Sequence, residues 1–217
     1  MRKPGASAMY CGNVSRPHLF LLYMGKNLTI HNITIKDSPN WTLHIANFSG
    51  VHVYDIRIFN PQGYNRDGID IDASQNVLVE NSLVDAGDDA LCVKAGANWV
   101  GRHDSRRSEN IIFRNIRIGT GHGITIGSDM SAGVRNVTFQ NISMDGTGCG
   151  IRMKAERGRG GVVEDIVYRD ITMRNILSEA VQMTLNHPAH ECDSDANLPQ
   201  HPCREREGRR RAVCGAV

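Results

Sequence analysis

The chain has 217 residues, 40% hydrophobic, 22% charged and 6% aromatic, with a formal net charge of +2. This is the balance of one ordinary globular or solenoid domain with enough apolar residues for a core, and it excludes a disordered polyelectrolyte. Near-neutral charge also excludes whole-molecule attraction to nucleic acid, so any preference for an acidic ligand must come from local clustering. No stretch approaches the roughly 18 consecutive apolar residues of a membrane span. The start Met1-Arg2-Lys3-Pro4-Gly5 is not followed by the apolar core of a secretion signal. Abundant glycine, 22 residues, favours short strands and tight turns over long helices.

Residues 1–17 are expected to be a lead-in, truncated relative to a complete domain. A nine-residue phrase then recurs six times: NLTIHNITI from Asn27, GVHVYDIRI from Gly50, NVLVENSLV from Asn76, NIIFRNIRI from Asn110, NVTFQNISM from Asn136 and DIVYRDITM from Asp165. Each phrase alternates with period two, as two short strands with Asn or Asp between them. So short a unit cannot bury its apolar face alone, but parallel stacking lets Ile, Val and Leu of each coil cover those of the next. The pattern predicts an all-β, right-handed parallel β-helix over residues 18–187. Asn32, Asp55, Asn81, Asn115, Asn141 and Asp170 are expected to stack at a bend, where short polar side chains satisfy turn backbone. The four-strand blades of a propeller and the Leu-x-x-Leu-x-Leu signature of leucine-rich repeats fit poorly.

A further strand follows each phrase: NWTLHI at Asn40, DGIDI at Asp67, DALCV at Asp89, HGITI at His122, CGIRM at Cys149 and EAVQM at Glu179. Their leading residues share a register, and stacked strands lie about 4.8 Å apart. Asp67, Asp89 and His122 should therefore form a vertical row, with Asp88 beside it. Two carboxyls of opposed protonation are what glycoside hydrolysis needs, and mutual repulsion helps keep one of them protonated. Taken alone, Asp88-Asp89 after Gly87 would read as a turn ahead of a strand; the shared register with Asp67 favours chemistry. Lys94, and Arg152 with Lys154 on one side of a strand, add cations suited to holding a uronate carboxylate. Arg157 and Arg159 in ERGRGG fit a basic turn as well as a substrate contact. Asp70 and Asp72 read as solvent-facing strand positions, with Asp70 a supporting candidate.

These residues resemble the polygalacturonases, pectin-degrading glycoside hydrolases of family 28, over residues 16–187. Four ordered motifs carry the resemblance: Asn65-Arg66-Asp67, Gly87-Asp88-Asp89, Gly121-His122-Gly123 and Arg152-Met153-Lys154. The resemblance implies inverting hydrolysis of α-1,4-galacturonosidic bonds, with Asp88 as general acid, Asp67 and Asp89 activating water, His122 assisting them, and Arg152 and Lys154 binding galacturonate. Asn65 and Lys94 are assigned to substrate as well. No cofactor or metal is implied. The expected partner is a pectic polysaccharide or oligogalacturonide, met by a monomer, with neither nucleic acid nor membrane involved, and the family suggests a secreted or periplasmic protein. Arg66 departs from the family's Thr and brings a cation beside Asp67. The stretch ERGRGGVVEDI is similar to exo-acting members. The alternatives are a calcium-dependent pectate lyase, a non-catalytic carbohydrate-binding β-helix and an inactive fragment.

Of the six cysteines, Cys92 and Cys149 fall in expected strands, while Cys11, Cys192, Cys203 and Cys214 lie near the ends; this distribution assigns no redox compartment. Residues 188–217 break the repeat and are expected to be an irregular, disordered basic tail. With His187, the tail's His190, Cys192, His201 and Cys203 match no standard zinc spacing.

Overall fold

A computed structural model of the protein describes residues 16–187. The expected tail, all but the last two residues of the lead-in, and the four terminal cysteines lie outside the described residues. In chain order the elements are β1 (Phe20–His31), β2 (Thr34–Lys36), β3 (Leu43–Tyr54), β4 (Arg57–Phe59), β5 (Ile69–Asp72), β6 (Gln75–Asp85) and β7 (Leu91–Lys94). They continue with α1 (Asn98–His103), β8 (Ser108–Ile118), β9 (Ile124–Gly127), β10 (Val134–Asp145), β11 (Ile151–Lys154), β12 (Val163–Arg174) and β13 (Val181–Thr184). Every strand pairing is parallel, and partners come from successive coils. This is the right-handed parallel β-helix expected from the repeat.

Two ladders run the length of the solenoid. The long strands stack in the order β1, β3, β6, β8, β10, β12, and the short strands β5, β7, β9, β11 and β13 continue the first half of β3. Because side chains alternate in and out, each inward position becomes a column. Leu43, Ile69, Leu91, Ile124 and Ile151 share one register, as do Val53, Val79, Phe113, Phe139 and Tyr168. Phe113, Phe139 and Tyr168 stack face to face at 5.0 and 5.1 Å. Burying each large apolar side chain contributes about 1.5–3 kcal/mol, so the columns are the main source of stability.

At Asn32 and Asp55 the phrase breaks into two strands as expected, β1 with β2 and β3 with β4, but in the four later phrases the long strands β6, β8, β10 and β12 pass unbroken through their polar residue. One left-handed residue turns the chain without interrupting the ladder. Asn81, Asn115 and Asn141 have φ of 51°, 56° and 50°, a conformation that Asn tolerates better than most residues. Their side chains form the expected ladder, Asn115 Nδ2 donating to Asn81 Oδ1 at 3.0 Å and Asn141 Nδ2 to Asn115 Oδ1 at 2.8 Å. A second ladder, not anticipated, joins the phrase starts: Asn110 donates to Asn76 at 3.1 Å and Asn136 to Asn110 at 2.9 Å.

Asn115→Ala removes two ladder hydrogen bonds and forces a left-handed Ala, so it should cost about 2 kcal/mol by chemical denaturation. Asn115→Gly should cost less, because it relieves the backbone term.

Candidate active site

The floor of the site is the outward face of β5, β7, β9 and β11, and its near edge is the set of turns that lead into them. The register Ile69–Leu91–Ile124, followed back two residues, puts Asp67, Asp89 and His122 on successive coils, as the spacing predicts. Backbone bonds fix these turns to one another: the Gly68 N–H donates to Asp89 O at 2.8 Å and the His122 N–H to Asp88 O at 2.8 Å. The glycines around His122 serve this close approach. Gly121 (φ 104°) and Gly123 (φ 66°) are left-handed, and a Cβ there would lie 2.4 Å from Asp88 O and 2.1 Å from Gly150 O.

All eight residues singled out in the sequence line one cavity of about 210 Å³: Asn65, Asp67, Asp88, Asp89, Lys94, His122, Arg152 and Lys154. Their environments differ sharply. Asp89 is 1% exposed and accepts hydrogen bonds from Lys154 Nζ at 2.8 Å, Arg152 Nη1 at 3.1 Å and Thr125 Oγ1 at 2.8 Å. Burial opposes its charge, yet Lys154, Lys94 and Arg152 outweigh that and hold the carboxyl far below the usual range. Asp88 accepts the backbone N–H groups of Asn65 at 3.2 Å and Asp89 at 2.9 Å. His122 Nδ1 lies 3.0 Å from Asp88 Oδ1 with its ring 41% exposed. For Asp88 too, burial pushes up, but the His122 hydrogen bond leaves the carboxyl below its ordinary value. Asp67 behaves oppositely: burial first, then the charges of Asp70 and Asp88, drive its carboxyl well up.

Arg152 and Lys154 therefore meet Asp89 directly, and the Arg152 Nε is buried without a hydrogen bond. Asn65, left-handed at φ 56°, offers its backbone N–H to Asp88. Lys94 is buried in the floor, its Nζ 3.9 Å from Asp67 Oδ2 and 3.6 Å from Asp70 Oδ1. Asp70 is not solvent-facing as expected but fully buried, because the side chains of neighbouring coils close over the strip. Asp72 is half-buried against His44 at 3.3 Å. Arg66 is not among the cavity residues; its guanidinium packs over Gly63. Arg157 is likewise absent from the lining, whereas Arg159 contributes to it and pairs with Asp129 at 3.1 Å and Glu156 at 2.9 Å.

Trp41, Ser128 and Asp129 also line the cavity but were not anticipated. Trp41 was findable, since it occupies the register of Asp67 one coil earlier. Thr125 sits in the register of Arg152 and Cys92. Cys92 and Cys149 are free and buried. No helix among the described residues is long and apolar enough to cross a membrane.

Residues 4–195 match the family described as Glycosyl hydrolases family 28. The chain is 33% identical over 184 residues to the endo-polygalacturonase of Pectobacterium carotovorum subsp. carotovorum, covering 84% of this chain and 43% of that protein. Among solved structures it is similar to the hyperthermoactive exopolygalacturonase from Thermotoga maritima, with 31% identity, a TM-score of 0.68, and coverage of 73% of this chain and 36% of that one. It is similar also to the polygalacturonase from Erwinia carotovora ssp. carotovora, with 32% identity, a TM-score of 0.69, and coverage of 76% and 42%. The chain thus spans less than half the length of each of these relatives.

The ion pairs around Asp89 yield a stability prediction. A depressed carboxyl stabilises the fold above its unfolded pKa of about 3.9, and that contribution is lost as pH falls through the lower folded value. Lys154→Met should therefore cost about 3 kcal/mol in urea unfolding at pH 7, with the gap to wild type narrowing as the pH drops below 4.

Proposed function

The chain belongs to glycosyl hydrolase family 28, and from that premise we propose that it hydrolyses the α-1,4 bonds of polygalacturonate with inversion at the anomeric carbon. The observation that carries this reading is the convergence of Asp67, Asp88, Asp89 and His122 with Arg152 and Lys154 on one cavity. Its substrate is a pectic polysaccharide or oligogalacturonide, taken by a monomer outside the cytoplasm, where that polymer is found.

Asp88 gives its proton to the glycosidic oxygen as the bond to the anomeric carbon breaks. A water attacks that carbon from the opposite face, and its proton passes to Asp67, the carboxyl of highest proton affinity among the three, in the fraction where Asp67 is ionised. Asp89, kept ionised by Lys154 and Arg152, orients the water and stabilises the positive charge of the oxocarbenium-like transition state. Oxygens of Asp88 and Asp89 lie within 4.8 Å of one another, short of the ~6.5–9.5 Å that admits a water between acid and base. That spacing argues against Asp89 as the acceptor. In the free protein Asp88 sits below its ordinary pKa, so it must be charged with a proton for the reaction. An arriving uronate adds negative charge and displaces water, and both effects raise Asp88. His122, open to solvent on one side and bonded to Asp88 on the other, relays the proton. The donors that Arg152 does not use on Asp89 are available to the uronate carboxylate.

Exo attack is the form we assign, because the turn after β11 sets the buried Arg159 into the cavity wall with Asp129 and so narrows the groove. Monogalacturonate should then be the first product by chromatography, whereas a ladder of oligomers would indicate endo attack.

Full-length protein with polygalacturonate and a chelator should generate reducing ends without ultraviolet absorbance. Absorbance that depends on calcium would establish a lyase instead, and binding without turnover a carbohydrate-binding solenoid. Asp88→Asn should lower kcat by about 10²–10⁴-fold with an unchanged circular dichroism spectrum, since an amide cannot donate the proton.

A further inference from the structure

Lys94 is the motif-adjacent cation whose placement fits the substrate least well. It is 4% exposed, and its ammonium lies in the cavity floor 3.9 Å from Asp67 and 3.6 Å from Asp70. Trp41 covers it from two coils earlier, the Nζ lying 4.4 Å from the ring centroid. The Trp41 ring is itself held by His18, stacked at 4.8 Å, and by His44, edge-on at 4.8 Å. An ammonium between two buried carboxyls and an aromatic face has its attractions met inside the protein. A uronate would have to displace them. We propose that Lys94 is a positioning residue that acts through Asp67, counter-charging and aligning its carboxyl, and that Trp41 and Asp70 hold the ammonium in place.

The idea rests on the hydrolytic reading of the same site and says how its water-activating carboxyl is controlled. Asp67 is 3% and Asp70 fully buried, so two acids share a desolvated pocket in which both could not ionise without a cation. The other charged or titratable groups near the three are Asp72 on β5, in register with Lys94, Asp88 and Asp89 from the turn before β7, His44 from β3, Cys92 on β7, Asp129 after β9, Lys154 on β11 and His18. Arg152 and Lys154 are committed to Asp89, which leaves Lys94 as the cation in ion-pair contact with Asp67 among the described residues. Burial drives Asp67 up and Lys94 pulls it down, while Asp70, raised to about 6, is restrained by Lys94 and His44.

The test is a carbon-detected NMR titration of the Asp67 carboxyl in the full chain, assigned by difference from Asp67→Asn, together with steady-state kinetics on oligogalacturonides. Lys94→Met should move the Asp67 titration to higher pH by about one unit or more. It should also lower kcat by about tenfold with KM within about twofold of wild type. Asp70→Asn, nearly isosteric, removes a negative neighbour and should shift Asp67 the other way; it keeps the test decisive if Lys94→Met does not fold. An unmoved Asp67 titration in the folded variants, or a raised KM with kcat preserved in Lys94→Met, would overturn the proposal. Should wild type fail to hydrolyse polygalacturonate while the titration shifts appear, the hydrolytic reading fails and the control of Asp67 by Lys94 stands.

Discussion

Parallel stacking at a fixed register is the constraint on which the rest of this structure depends. Because each coil must pair with the next through the same backbone bonds, a residue type repeated at one position of the phrase becomes a continuous column. Inward positions give the Ile, Val and Phe columns of the core, and corner positions give the Asn ladders. On the outward face of the short strands the same rule takes residues widely separated in sequence and sets them a few ångströms apart. The pairs that Asp89 forms with Arg152 and Lys154 span 63 and 65 positions of the chain, yet they require only that β7, β9 and β11 be adjacent rungs.

That adjacency has an electrostatic consequence. The groove floor holds Asp67, Asp70 and Asp89 with Lys94 and Lys154, all at most 8% exposed. Burying so many charges is tolerable only if each acid has a cation within reach. The distribution is uneven. Asp89 has three cations in its favour and is held ionised, whereas Asp67 and Asp70 share Lys94 and are pushed up by burial. Carboxyls of one residue type thus acquire opposite protonation tendencies from their neighbours alone, which is the division of labour that acid and base chemistry needs.

Much of this was legible in the sequence because the fold is periodic. The phrases locate the rungs, and aligning the strands that follow them puts Asp67, Asp89 and His122 in a single row. Alternation says which face a residue takes but not how deeply that face is covered. Asp70, which alternation places towards solvent, is fully buried, and the burial of Lys94 has no signal in the pattern either. The residues that wall the cavity from the loops, Asp129 and Arg159 among them, were missed or left undecided for a related reason: loops have no period, so nothing in the chain says which of them folds back over the floor. The second Asn ladder was visible in retrospect, since five of the six phrases begin with Asn or Asp.

The glycines beside His122 show how far one side chain's position depends on backbone rather than on its own packing. Their evident use is to leave the ring open to a ligand. The geometry gives a stronger requirement, because a Cβ at either position would collide with a backbone carbonyl, of Asp88 on one side and Gly150 on the other. His122 can bond to Asp88 only if its own turn lies flat against the neighbouring turns. The contact that joins imidazole to carboxyl is thus secured by the residues that lack a side chain, and a methyl group at Gly121 or Gly123 would separate the pair by striking a backbone carbonyl, that of Asp88 itself or that of Gly150.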